Sequence, residues 1–400
     1  MEHGLNLAAV GAIAAAVVLW SVFSDRLERW NISAASALVG VGLVLANGPT
    51  GVLHVGIGAT GIRELAEFTL AIVLFGDAAG VSVRELARDA ALPGRLLLVG
   101  LPLTMAAGTV TAKLIFPGLS WWVCAVIGAA VAPTDAALGA PIIEDSRVPR
   151  RIRRVLNVES GLNDGIATPF VKFFLVAAVA GTSLQSVSET GALKELLLGA
   201  VGGALIGAIG GWLLVMARAY GLGGTAYGKL GATALAVLAY AGVVHVGGNG
   251  FVAAFVAGLA YGAVTTDRLE ESLEFTHGVA GLVSLVVWFI FGAVMVPILQ
   301  EVTWREVLFA ALALTAVRLV PVALSLVGAG FDRATVGVIG WFGPRGLASV
   351  VFGLLAYDDL APVDGHRTVR IITMTVVASV VLHGVSAAPV AARYGATHPD

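Results

Sequence analysis

The sequence is short of charge. Only 12% of its 400 residues are Asp, Glu, Lys or Arg, against about 25% in a soluble globular chain. That excludes a disordered chain, which carries much charge and little apolar surface, and an ordinary soluble enzyme. Charge of one sign is also missing. The 24 basic and 26 acidic residues leave a net charge of -2, so no field gathers a nucleic acid or another polyanion. Cysteine is nearly absent. Cys124 stands alone, which excludes an internal disulfide framework and a cysteine metal site. Apolar residues fill the space: 58% of the chain is hydrophobic and mean hydropathy is +0.91. The chain reads as a polytopic membrane protein, and the charges stranded in its apolar spans are where function is to be sought.

A bilayer core of about 30 Å takes roughly 20 apolar residues per helix. With that window the chain divides into about thirteen segments: 5–23, 34–47, 65–80, 92–113, 121–140, 155–180, 193–217, 230–246, 251–264, 279–297, 307–327, 335–357 and 369–390. Lipid leaves only helices or closed barrels. Runs such as AAVGAIAAAVVLW lack the period-two alternation of a barrel strand, so the fold is expected to be all-α. The first segment has no basic residues before it, and Arg26 and Arg29 follow it. It is therefore read as a retained helix rather than a signal peptide. Of the Lys and Arg outside the spans, 15 fall on one face. The other face holds six: Arg63, Lys113, Lys194, Arg305, Arg367 and Arg370. The excess places the N-terminus outside and the C-terminus in the cytoplasm of a cell-membrane protein. Linkers are short, and no soluble regulatory domain is expected.

Seven charged residues lie well inside spans, away from their ends: Asp77, Asp135, Glu159, Asp164, Lys172, Arg318 and Arg345. Each costs roughly 2.5–3.5 kcal/mol on insertion scales, so each should face protein or a watery cavity. The fifth span reads APTDAA, where Pro133 interrupts the helix just before Thr134 and Asp135. The alternative there is a kink with a capping Thr-Asp pair. The sixth span reads ESGLNDG. Glu159 and Asn163 share one face, as do Ser160 and Asp164. Ser160, Asn163 and Asp164 form a patch of hydroxyl, amide and carboxylate oxygens of the kind hard cations prefer; a helix-packing cluster is the bland alternative. The twelfth span reads FGPRG. Arg345 stays charged and needs an anionic partner. Glu159 is the preferred one, although spacing does not fix which acid it takes. If helices one to six and eight to thirteen are inverted repeats, the breaks in spans five and twelve are counterparts, a pattern that marks a transporter's binding site. Asp77 is read either as a cavity acid or as a helix-end charge. Lys172 and Arg318 are read as structural, snorkelling or pairing across helices. His245, His277 and His383 are read mainly as bland, with pH sensing the lesser alternative.

The combination of APTDAA, ESGLNDG and FGPRG, with FVAAFVAGL at 251–259 and the LFGD and RELAR stretches around Asp77, resembles the monovalent cation:proton antiporters, specifically the NhaP-like (CPA1-type) sodium/proton exchangers. The resemblance runs over nearly the whole chain. It implies about 13 transmembrane helices in two inverted six-helix repeats with broken crossing helices. Repeat one would cover about 1–180, a linker helix about 191–217, and repeat two about 225–392. It implies a homodimer. It implies that Asp164 is the shared cation- and proton-binding carboxylate, with Thr134, Asp135, Ser160 and Asn163 lining the site and Na⁺ held at Asp164, Ser160, Thr134 and Asp135. Glu159 and Arg345 would form a structural ion pair. Relatives with Asn-Asp in the sixth span are generally electroneutral, and many carry Glu at the place of Asp77.

The expected activity is exchange of Na⁺, or Li⁺, for H⁺, with no cofactor and no enzymatic reaction. An unpaired carboxylate is costly in low dielectric, so Asp164 should cross only when neutralised by a proton or a cation. The alternatives are K⁺/H⁺ exchange within the same family, a sodium-coupled organic-anion symporter, an intramembrane aspartyl protease using Asp135 and Asp164, and a channel. The symporter lacks a polar cluster for an organic anion. The protease leaves the Asn-Asp patch and Arg345 without a role, and the channel lacks a filter motif.

Overall fold

A computed structural model describes residues 7–28, 30, 32–47, 61–81, 91–143, 145–181, 191–222, 225–265 and 270–398. The described residues are helical, with turns and short bends between helices and no strand. Lipid gives a backbone amide no partner, so these apolar runs satisfy themselves as helices. Seven helices are long and apolar enough to cross a bilayer: α1 (Leu7–Glu28), α4 (Ala91–Ile115), α7 (Arg150–Ala180), α8 (Ala192–Ala219), α11 (Glu270–Gln300), α12 (Trp304–Ser325) and α15 (Pro362–Thr397). Shorter apolar helices are α2 (Ala34–Asn47), α5 (Trp121–Ala130), α9 (Leu230–His245) and α10 (Gly250–Thr265). The rest are α3 (Ile62–Gly80), α6 (Ala136–Ile143), α13 (Arg333–Trp341) and α14 (Leu347–Asp359).

Every apolar segment read from the sequence lands on a helix or a pair of half-helices. The boundaries differ. α7, α11 and α15 extend well beyond their apolar runs, to Arg150, Glu270 and Pro362. A hydropathy window ends where polar residues begin, whereas the backbone ladder continues through them.

The helices pack in two groups. In the first, α2 lies on α11, and α3 and α8 lie on α10, with α1 and α9 alongside. In the second, α4 lies on α5, α14 and α12 on α15, and α7 on α5 and α6. Contact between the groups is sparse and runs mainly through α3 against α7 and α14, and α11 against α15. Two ion-pair groups cross this seam, both where α3 begins and α14 ends. Arg63 of α3 reaches Asp359 at 2.9 Å and Asp358 at 3.4 Å in the last turn of α14, while its Nε holds Glu67 at 2.9 Å. Tyr240 of α9 donates to Glu67 at 2.6 Å. Arg370 of α15 meets Glu301, just past α11, at 3.2 Å and Glu306 of α12 at 3.1 Å.

Without water to drive helices together, packing in lipid rewards close backbone approach. Gly199, Gly203, Gly207 and Gly211 form a buried stripe on α8. A β-carbon at Gly207 would lie 2.1 Å from the carbonyl oxygen of Ala257 on α10, so Gly207→Val must push the two helices apart. Overpacking of this kind costs about 1–3 kcal/mol, and the purified protein should melt at a lower temperature. Gly11→Ala, with nothing within 4 Å, should leave melting unchanged. Equal melting temperatures for Gly207→Val and the parent chain would show that α8 and α10 do not pack this closely.

Candidate functional site

The two interrupted segments meet. α5 ends at Ala130 and α6 begins at Ala136; α13 ends at Trp341 and α14 begins at Leu347. The Asp135 N–H donates to the Pro344 carbonyl at 2.8 Å. The Asp135 carboxylate then caps two helices at once: Oδ1 accepts from Leu138 N–H of α6 and Oδ2 from Leu347 N–H of α14, each at 2.9 Å. Each helix N-terminus carries roughly half a positive charge, so one carboxylate answers both. Gly346 makes room for it, since a β-carbon there would fall on the carboxylate. The opposite charge answers the freed carbonyls. Arg345, fully buried, donates to Gly343 O at 2.9 Å and to Pro133 O and Ala313 O at 3.4 Å. Ser349 donates to Ala130 O, at the end of α5, at 2.7 Å.

This arrangement corrects one expectation. Glu159 pairs with Arg318 of α12, not with Arg345. The Arg318 Nη1 lies 2.7 Å from Glu159 Oε1, and both side chains are about 2% exposed. The Arg345 guanidinium is turned to carbonyls of the two helix breaks, at Pro133 and Gly343, and of Ala313 on α12, and spacing along the chain does not show that. The reading of Arg318 as a cross-helix pairing residue holds. Asp135, expected as a cation ligand, gives each oxygen to one backbone amide and also lines the cavity described next.

The polar residues of α7 meet Thr134 of the first break. Asn163 Nδ2 donates to Thr134 Oγ1 at 2.5 Å, and Thr134 and Ser160 share a hydroxyl hydrogen bond of 3.0 Å. With Asn163 donating to it, the Thr134 hydroxyl is free to donate to Ser160. Asn163 and Thr134 are each 1% exposed and sit behind Ser160. Ser160 and Asp164 reach a cavity of about 350 Å³, which Asp77, Asp135, His277 and Trp288 also line. The cavity lies between the two helix groups, where α3 ends and α11 begins. The Asp164 carboxylate is buried there and has neither hydrogen-bond nor ion-pair partner among the described residues.

The remaining residues separate clearly. Asp77 is a cavity residue, close to Gly161 of α7, where a β-carbon would touch it at 3.7 Å. His277, read from the sequence mainly as bland, lines the cavity. Its ring faces Gly76 and Gly80 of α3, and no motif surrounds it. Its place half a helix before Trp288 on α11 was the one available signal. Lys172 places its amine 5.7 Å from the Phe251 ring. His245 is exposed at the end of α9. A second crevice between the groups, lined by Ile62, Phe291, Val350 and Ile372, measures about 20 Å³. That is room for little more than one water, and its lining offers no chemistry for an ion. Among the described residues no cluster of three or more His, Cys, Asp and Glu is set to hold a metal ion.

Two helix groups with a sparse seam, two broken helices crossing at mid-length, and a buried carboxylate in the cavity between them define a secondary transporter. The chain belongs to the family described as sodium/hydrogen exchanger, transmembrane, whose model matches residues 12–393. The K(+)/H(+) antiporter NhaP of Alkalimonas amylolytica is 26% identical over 82% of this chain and 56% of its own length. A Na(+)/H(+) antiporter of Schizosaccharomyces pombe is 25% identical over 76% of this chain and 74% of its own. The chain spans 56% to 65% of the length of three NhaP-type relatives. The fold matches that of the sodium proton antiporter MjNhaP1 from Methanocaldococcus jannaschii, with a TM-score of 0.74 at 20% identity over 94% of this chain and 98% of that one.

Proposed function

We propose that the protein exchanges Na⁺, and Li⁺, for H⁺ across the cell membrane, one for one and without net charge, with cation and proton competing for Asp164. The observation that carries this reading is the Asp164 carboxylate itself. It is buried at the cavity with no partner, beside the Ser160 hydroxyl. A bare carboxylate there is costly, and either a proton or a cation removes the cost. Empty and charged, the site crosses poorly, which enforces exchange over leak. Movement of one helix group against the other around the site supplies alternating access. Asp135 supports the cation indirectly, by holding both helix N-termini, and Thr134 and Asn163 fix the Ser160 hydroxyl. The reading includes two inverted repeats with α8 as linker, a homodimer, an outside N-terminus and a cytoplasmic C-terminus.

K⁺/H⁺ exchange is the second reading, favoured by the name of the Alkalimonas amylolytica relative. An aspartyl protease is disfavoured by the commitment of both Asp135 oxygens to amides, since its two carboxylates must share one water. The test is purified protein in vesicles with an imposed pH gradient, challenged with Na⁺, Li⁺ and K⁺, with and without a clamped voltage. Cation-driven proton flux that is insensitive to voltage is expected, with Na⁺ and Li⁺ ahead of K⁺. Cleavage of a helical peptide, or flux that grows with voltage, would overturn it.

A further inference from the structure

We propose that His383 is a positioning residue that pins both sides of the break between α13 and α14 to α15, and thereby fixes the loop on which Asp135 closes. The proposal rests on the reading of this site as a cation and proton site.

His383 lies on α15 and is 3% exposed. Its Nε2 is 2.8 Å from the carbonyl oxygen of Trp341, the last residue of α13. Its Nδ1 is 3.1 Å from Ser379 Oγ and 2.9 Å from Ser379 O. Ser379 Oγ accepts the Arg345 N–H at 2.7 Å. One imidazole therefore reaches the chain before the break directly, and the chain after it through one hydroxyl. With its proton on Nε2 the ring serves the Trp341 carbonyl and the Ser379 hydroxyl, while the approach of Nδ1 to the Ser379 carbonyl carries no hydrogen bond. Nε2–H donates to Trp341, the Ser379 hydroxyl donates to Nδ1, and the Arg345 N–H donates to Ser379. The Trp341 carbonyl, at the end of α13, also accepts the Gly343 N–H at 2.8 Å, so its two lone pairs serve the turn and the imidazole.

The ring contacts reinforce the same joint. His383 stacks on the Trp341 indole, with centroids 5.2 Å apart. Trp341 Nε1 donates to Ser386 Oγ, also on α15, at 2.9 Å. A leucine would fill this volume without burying polar atoms. A buried imidazole is tolerated only where its nitrogens are bonded, and here one bond falls on one edge of the break while the other reaches the opposite edge through Ser379. The held segment is the one that touches the site: Pro344 O accepts from Asp135 N–H, and Leu347 N–H donates to Asp135 Oδ2. If residues 342–346 shift, Asp135 shifts with them.

The variants are His383→Leu, which keeps the bulk and loses both bonds, His383→Gln, whose amide can still donate to Trp341 O, and Ser379→Ala, which cuts the second arm. Two quantities are measured on reconstituted protein: amide hydrogen exchange of residues 342–347, and the cation concentration dependence of proton flux. In His383→Leu the amides of Arg345 and Leu347 should exchange about tenfold faster, the factor corresponding to one lost buried hydrogen bond. The cation KM should rise by a similar factor while the maximal rate changes little. Amides of α8 and α10 should not change. His383→Gln should recover part of both effects. Ser379→Ala should raise KM as well, and combining it with His383→Leu should add little, since both cut one relay. Parental exchange and KM in His383→Leu would overturn the proposal, as would loosening spread evenly over all helices. If the parent chain drives no cation-linked proton flux at all, the reading of the function fails, and amide exchange alone decides the clamp.

Discussion

Asp164→Asn should reduce cation-driven proton flux to the rate of protein-free vesicles while the purified protein keeps its helical content and its melting temperature. The asparagine has the same shape, so packing against Ser160 and the cavity wall is preserved. It carries no charge to be neutralised and no proton to release. The exchange cycle needs one group that is satisfied by either ion and by neither both nor none, and among the described residues Asp164 is the buried cavity carboxylate with no protein partner. The variant should also lose the thermal stabilisation that Na⁺ gives the parent protein, because binding to the native state alone raises stability by mass action. Flux that survives Asp164→Asn would remove Asp164 from the centre of the mechanism and leave Asp77 as the carboxylate to examine.

Glu159→Leu should destabilise the protein more than Arg318→Leu. The two form a buried pair, and breaking such a pair by removing one partner costs about 3–5 kcal/mol, chiefly through the charge left behind. The two halves of this pair leave different remainders. Without Arg318, Glu159 stays within electrostatic reach of Arg345. Without Glu159, two buried guanidinium groups lose the acid near both. Arg345 has carbonyls to hold it, whereas Arg318 loses its ion-pair partner. Replacing both members by leucine should recover much of the loss. Thermal melts of the two single variants and the double variant read the order directly. Equal losses for the two single variants would show that Arg345 does not share in the pair.

Much of this was legible in the sequence, and the reason differs from residue to residue. The spans were visible because lipid demands long apolar runs. The Ser160, Asn163 and Asp164 patch was visible because helical spacing places it on one face. The two breaks were visible as Pro133 and Gly343-Pro344. Partner choice was not. Whether Arg345 or Arg318 takes Glu159 depends on where broken helices leave carbonyls, which is a property of two segments about two hundred residues apart. The double cap by Asp135 is hidden for the same reason, although Gly346 is its trace. His277 and His383 carry no local signature at all, and only packing distinguishes the one that lines the cavity from the one that holds the break.

The ion pairs that cross the seam sit at the end remote from the cavity, around Arg63 and Arg370. Exposed pairs of this kind contribute about 0–1 kcal/mol each, and ionic strength screens them over about 8 Å under physiological conditions. These pairs add a small, salt-sensitive part to a closure that at that end rests chiefly on the apolar packing of Ile62, Phe291, Val350 and Ile372. Rising salt at that face loosens the closure there. Salt on that side therefore trims the closure without setting it.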